Sequence, residues 1–230
     1  MTTDRLMKAV CAVLLAVAGG GPAKAQTPSD GEAVLAEMEK FTRSLQTIVG
    51  DMHSTMVLAG QTVPMRSRIW AQLPDKVMNI TEMAGDTVVI YVVGNQQITY
   101  LPAMNGYATM QLPASLAPAL VQEFVNGGLS DAGVFASKPE ERKVNLTGRT
   151  TVAGAPARQL RIEIPGRVVG DLWIAEGDQP LPLFVRFSSS QAGLRGEARY
   201  QWLVNQPIPE SAFRFSPPPG ATDMTAGRSQ

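Results

Sequence analysis

From Asp51 to Gln72 the chain alternates residue by residue. Met52, Ser54, Met56 and Leu58 take every second position, with Asp51, His53, Thr55 and Val57 between them. Beyond Gly60-Gln61, Val63, Met65, Ser67, Ile69 and Ala71 alternate in the same way with Pro64, Arg66, Arg68, Trp70 and Gln72. A period of two belongs to a strand, because successive side chains point to opposite faces of a sheet. Turn signals follow at Pro74-Asp75, Gly85-Asp86, Gly94-Asn95 and Asn105-Gly106. Short strands broken at such regular intervals predict antiparallel hairpins. Strands resume at Val144, with breaks at Gly154-Ala155-Pro156, Pro165-Gly166, Gly177-Asp178-Gln179-Pro180 and Gln191-Ala192-Gly193. The pattern predicts ten or eleven strands in all.

Two stretches have a helical period instead. Val34, Leu35, Met38, Phe41, Leu45 and Ile48 recur at three and four, and Ser29 and Glu32 stand at capping-box spacing before them. This predicts one amphipathic helix over 31–46. Between Pro113 and Gly127, Leu116, Leu120 and Phe124 lie four apart beside Val121 and Val125. Pro118 is tolerated there as a first-turn residue. The fold class is therefore α+β: a large antiparallel sheet, an N-terminal helix and a helical insertion.

Composition limits the chemistry. Of 230 residues, 44% are apolar and 17% charged, as in a folded globular chain. Twenty basic residues balance twenty acidic ones, so the footprint of a nucleic-acid binder is missing. One Cys and one His exclude a disulfide framework, cysteine-rich zinc sites and multi-histidine metal sites. No G-x-S-x-G elbow occurs, and His53 has no activated nucleophile near it in sequence. The reading is of a protein that is not an enzyme and has no cofactor. Asn79-Ile80-Thr81 and Asn145-Leu146-Thr147 match the glycosylation pattern, but three-residue matches arise often by chance.

The start of the chain reads as an address. Arg5 and Lys8 precede an apolar run from Ala9 to Ala18, and Ala23-Lys24-Ala25 offers a cleavage site. The run is shorter than the ~20 residues of a membrane span. We expect residues 1–25 to be a signal peptide and 26–230 a single exported domain beginning at Gln26. The tail after Ala221 is polar and is expected to be loose.

Three stretches carry a family resemblance. Ile69-Trp70-Ala71-Gln72-Leu73-Pro74-Asp75-Lys76 resembles an early strand and turn of the periplasmic lipoprotein carrier LolA. Phe213-Arg214-Phe215-Ser216-Pro217-Pro218-Pro219-Gly220-Ala221 resembles that family's F-x-F-x-P-P-x-G close. Asp171-Leu172-Trp173-Ile174-Ala175-Glu176-Gly177-Asp178-Gln179-Pro180-Leu181-Pro182 is similar to a stretch of the periplasmic DUF2092 proteins. The resemblance covers about Gly31 to Met224. It implies an unclosed, strongly curved antiparallel barrel whose concave face is covered by the helices, with a hollow for acyl chains between them. It also implies a periplasmic location and a non-catalytic role as a binder or carrier of lipid or lipoprotein acyl chains. The alternative is an envelope sensor or docking domain whose partner is an envelope membrane protein. Where the carrier places a latching arginine before its turn proline, this chain has Leu73, so that latch is lost there.

On this reading the cavity wall consists of Met52, Met56, Leu58, Met65 and Ile69, which share a face by alternation. Methionine suits an irregular apolar ligand, though it equally fills core gaps. Leu116, Leu120 and Phe124 would form a lid, or else a permanent core helix. Arg66 and Arg68 share a face with Trp70 and would meet a lipid headgroup at the cavity mouth, or else lie on a solvated strand face.

Overall fold

A computed structural model describes residues 29–58, 60–114, 116–125, 139–189 and 194–225. The expected signal peptide lies outside the described residues. Helix α1 spans Asp30–Ser44. Six strands follow: β1 (Thr47–Leu58), β2 (Gln61–Gln72), β3 (Lys76–Met83), β4 (Asp86–Val93), β5 (Gln96–Leu101) and β6 (Gly106–Gln111). Helix α2 (Ala117–Val125) interrupts them. The second run is β7 (Lys143–Val152), β8 (Ala155–Ile164), β9 (Val168–Ala175), β10 (Pro182–Ser189) and β11 (Arg195–Val204), with β12 (Thr222–Asp223) at the end.

All twelve strands form one sheet in the order β12-β6-β5-β4-β3-β2-β1-β11-β10-β9-β8-β7. The sheet has two edges and does not close. Every pairing is antiparallel except that of β12 with β6. The hairpins follow the turn signals. Ala84-Gly85 and Ala153-Gly154 are two-residue turns with positive φ at both positions, the geometry that matches strand twist. Two points differ from the sequence reading. There are twelve strands, because the chain is tied down beyond Ala221: the Met224 and Thr222 amides donate to Tyr107 and Asn105, and the Thr109 amide donates to Thr225 Oγ1. The tail expected to be loose is therefore held through Thr225. A two-residue strand has no period for the sequence to show.

The β1–β2 register pairs Met52 with Ser67, Ser54 with Met65 and Gly50 with Ile69. One face of the sheet, here the inner face, takes both helices. Two apolar cores form there. In the first, Val34, Leu35 and Met38 of α1 pack on Met52, Tyr200, Ala198, Val185, Leu172, Ile174, Leu160, Ile162 and Val144. Residues from β1 and β7–β11 reach one helix, which requires the sheet to curve around it. In the second, Val121 and Val125 of α2 pack with Leu45, Ile48, Ile69, Ala71, Val77 and Val92. Trp202 bridges the two, stacked on Tyr200 with its Nε1 donating to the Pro182 carbonyl at 2.6 Å. It lies across Gly50, where a β-carbon would come within 2.4 Å of the indole. Glycine is needed there for space.

The expected cap of α1 is half realised. Ser29 Oγ accepts from the Glu32 amide at 3.2 Å and donates to the Val144 carbonyl at 2.7 Å. The Glu32 carboxylate is turned instead to Arg142, which donates to it twice, at 3.1 and 3.0 Å. The closing Phe-Pro motif packs on the outer face. Phe215 rests on the rings of Tyr91, Tyr100 and Tyr107, with centroids 5.3–5.6 Å away.

Candidate functional site

The inner face is not uniform along its strands. Beneath the helices it is packed. Further along β1–β4 stand Met56, Val63, Met83 and Val88, all half-buried and outside both cores. The register makes them neighbours: Met56 opposes Val63, Met65 opposes Met83, and Thr81 opposes Val88. Met65, also half-buried, joins this patch to the first core. The patch is a methionine wall, apolar and adaptable.

The residues expected in a cavity wall divide. Met56 and Met65 lie in this patch. Met52 and Ile69 are on the same face but buried in the two cores, at 9% and 3% exposure. They are fold residues, because α1 and α2 pack down on their rows. The side chain of Leu58 lies outside the described residues. Met83 and Val63 were missed as wall residues. The alternation Val77, Asn79, Thr81, Met83 would have found Met83 once β3 was paired with β2.

The expected lid also changes. Val121 and Val125 are fully buried and anchor α2 in the second core. Leu120 and Phe124 pack beside them, while Leu116 is exposed. The buried side is therefore one position on from the predicted stripe, and α2 packs over β2–β4 through it.

Arg66 and Arg68 do not share the face that takes the helices. They project from the outer face, where both donate to Asp51: Arg66 at 3.2 and 2.8 Å, Arg68 at 3.3 and 3.0 Å. His53 Nε2 lies 3.1 Å from the same carboxylate. The strand's alternation sends these even-numbered β2 residues to the face away from the helices. Chiefly the Arg66 hydrogen bond, and then that of Arg68, holds Asp51 down at about 2 against the burial that would raise it. The folded-state value is below that of an unfolded aspartate, so the stabilisation is present above about pH 4 and is lost as pH falls through 2. Replacing Asp51 by Asn should lower stability by about 1 kcal/mol at neutral pH, allowing for screening of exposed arginines. Denaturant titrations of the two proteins should converge below pH 3, by about pH 2.

Two cavities open on the outer face. One, of about 620 Å³, is lined by His53, Arg66, Glu82 and Arg199. The other, of about 510 Å³, is lined by Arg161, Asp171, Arg186 and Glu197. Both carry charges of either sign on walls that are largely apolar. Phe184 and Trp173 lie beside them with ring centroids 4.9 Å apart, and the Arg199 guanidinium covers Phe184 at 4.7 Å. An outer row of Leu203, Val49, Trp70 and Met78 is set by the register, with Leu203 63% exposed. Among the described residues no helix is long and apolar enough to cross a membrane.

The same architecture occurs in solved structures. An uncharacterised conserved protein from Thermus thermophilus aligns with a TM-score of 0.50 at 14% identity, covering 84% of this chain and 97% of that one. The lipoprotein LppX of Mycobacterium tuberculosis aligns with a TM-score of 0.51 at 11% identity, covering 77% of this chain and 96% of its own. A LolA superfamily protein from Nitrosomonas europaea gives 0.42 at 8% identity, over 80% and 97% of the two chains. At these identities the first two alignments speak to the fold alone. Among curated proteins none matches the chain. The sequence does match one family, over residues 31–225, described as a predicted periplasmic protein. That span takes in α1, both runs of strands and the closing Phe-Pro segment, and the chain belongs to the DUF2092 family of periplasmic proteins.

Proposed function

We propose that this protein is a non-catalytic periplasmic binder or carrier of acyl chains, taken up on the inner face of β1–β4. The observation that carries the reading is the wall of Met56, Val63, Met65 and Met83, apolar, adjacent in register and largely outside the packed cores. Burial of a chain against such a wall is worth ~0.8 kcal/mol per methylene, so a long acyl chain binds without any charged contact. The arginines near it in sequence are turned outward, which leaves the wall free of cations. The likeness in fold to a lipoprotein fits this reading.

Titration with a fluorescent acyl probe tests the proposal. Saturable enhancement at one site per chain, with displacement by unlabelled lipid, is the expected result. A probe that stays in water at all protein concentrations would end the reading. A second reading, docking of an envelope protein, is favoured by the outer apolar row in which exposed Leu203 stands beside half-buried Val49 and Trp70. It would gain if Leu203→Asp abolished capture of a single membrane protein while leaving the acyl titration unchanged.

A further inference from the structure

Where the second core borders the methionine wall, the inner face carries a polar cluster, with Asn79 set opposite Ile69 and Ile90 of that core. Ser67 opposes Thr81 across β2 and β3, and Asn79 lies two residues from Thr81 on the same face. Ser67 and Asn79 are both buried, each at 4% exposure. Their hydrogen bonds run in one direction. The Thr81 hydroxyl donates to Asn79 Oδ1 at 2.9 Å, so the Ser67 hydroxyl is the one that donates to Thr81, at 2.7 Å. The amide oxygen of Asn79 is thereby used and its orientation set. Its NH2 group has two donors left and no partner among the described residues.

The Asn79 nitrogen is not sealed off, however: it is absent from the fully buried atoms that lack a partner, so its donors stay open to water or to a ligand. With its oxygen held by Thr81, the Asn79 NH2 is a donor that the fold leaves without a protein partner on a largely apolar face. Asn79 stands four residues from Met83 along β3, about 13 Å at ~3.3 Å per residue. An acyl chain lying along the wall brings its head group to this depth.

Charge narrows the class. The inner-face side chains of β1–β4 include Ser67, Asn79, Thr81 and Asp86 but no Lys, Arg or His. A carboxylate at that depth would find no counter-charge and would pay its full desolvation. A neutral carbonyl needs only donors, and Asn79 offers two. Resting on the acyl-binding reading above, we infer that Asn79, oriented by Thr81 and Ser67, reads the carbonyl of an ester-linked acyl chain, and that the protein selects neutral acyl esters over free fatty acids.

Three pyrene-labelled probes of matched chain length test this: an alkane, a fatty-acid methyl ester and the free acid. The wild-type protein should bind the ester more tightly than the free acid. Asn79→Leu should weaken the ester about fivefold, the worth of one neutral hydrogen bond, and leave the alkane unchanged or tighter. If Asn79→Leu does not fold, Asn79→Val reads the same ratio with a good strand former. Ester and alkane affinities that move together in the variant, or a ratio that does not move, would overturn the role of Asn79. A free acid bound as tightly as the ester would overturn the selectivity. Binding of none of the three by the wild type would instead overturn acyl binding itself.

Discussion

Replacing Arg142 by alanine should destabilise the fold by about 3 kcal/mol, the low end of the range for breaking a buried ion pair. Its side chain is only 6% exposed and is held bidentately by Glu32, itself 19% exposed, with Glu39 at 3.8 Å. Removing the guanidinium leaves the Glu32 carboxylate in a site where water reaches it poorly. The pair also fixes the start of α1 against β7, together with the Ser29 bond to Val144. There the two backbones touch: a β-carbon on Gly31 would lie 2.6 Å from the Val144 carbonyl oxygen. Chemical denaturation should show a lower midpoint with an unchanged slope. The double variant Arg142→Met with Glu32→Leu, which removes both charges, should recover most of the stability. Equal stability of Arg142→Ala and wild type would mean that the pair is solvated.

Met56→Asp and Met83→Asp should each lower affinity for the acyl ester about 100-fold while leaving the fold intact. A carboxylate in the wall must be desolvated by the chain that covers it, which costs several kcal/mol without a counter-charge. Both side chains stand outside the two cores, so thermal unfolding should shift little. Met56→Leu, which keeps the volume and loses the thioether's flexibility, should change affinity about threefold or less. An acyl titration of Met83→Asp that overlays the wild type would place the ligand elsewhere.

Much of this arrangement is written locally in the sequence. The alternation from Asp51 to Gln72, the turn glycines and the helical periods are properties of neighbours along the chain. They specify strands, hairpins and faces, and so Met56 and Met65 can be placed together without coordinates. What neighbours cannot specify is which rows the helices cover. Met52 and Met56 have the same parity and the same chemistry. Only the seat of α1 on the first core makes one of them structural. The same holds for α2, whose stripe of Leu116, Leu120 and Phe124 is as regular as its neighbour Val121–Val125 but lies to the side. Arg66 and Arg68 were legible as an outward-facing pair by parity alone, since Ile69 and Met65 must face the helices. Their shared partner Asp51 comes from the neighbouring strand and needed the register. Asn79 was visible only as part of a chance sequon. Its role depends on a hydrogen-bond chain across two strands and on depth below the surface, neither of which leaves a mark in one sequence.

Native mass spectrometry of the protein released from periplasm without detergent shows whether the inner face of β1–β4 holds an acyl chain. The expected species is heavier than the bare chain by one ester-linked lipid or acylated peptide, and it is lost from Met56→Asp and Met83→Asp. A wild-type protein that flies at its bare mass, and still does so after incubation with phospholipid vesicles, would contradict it.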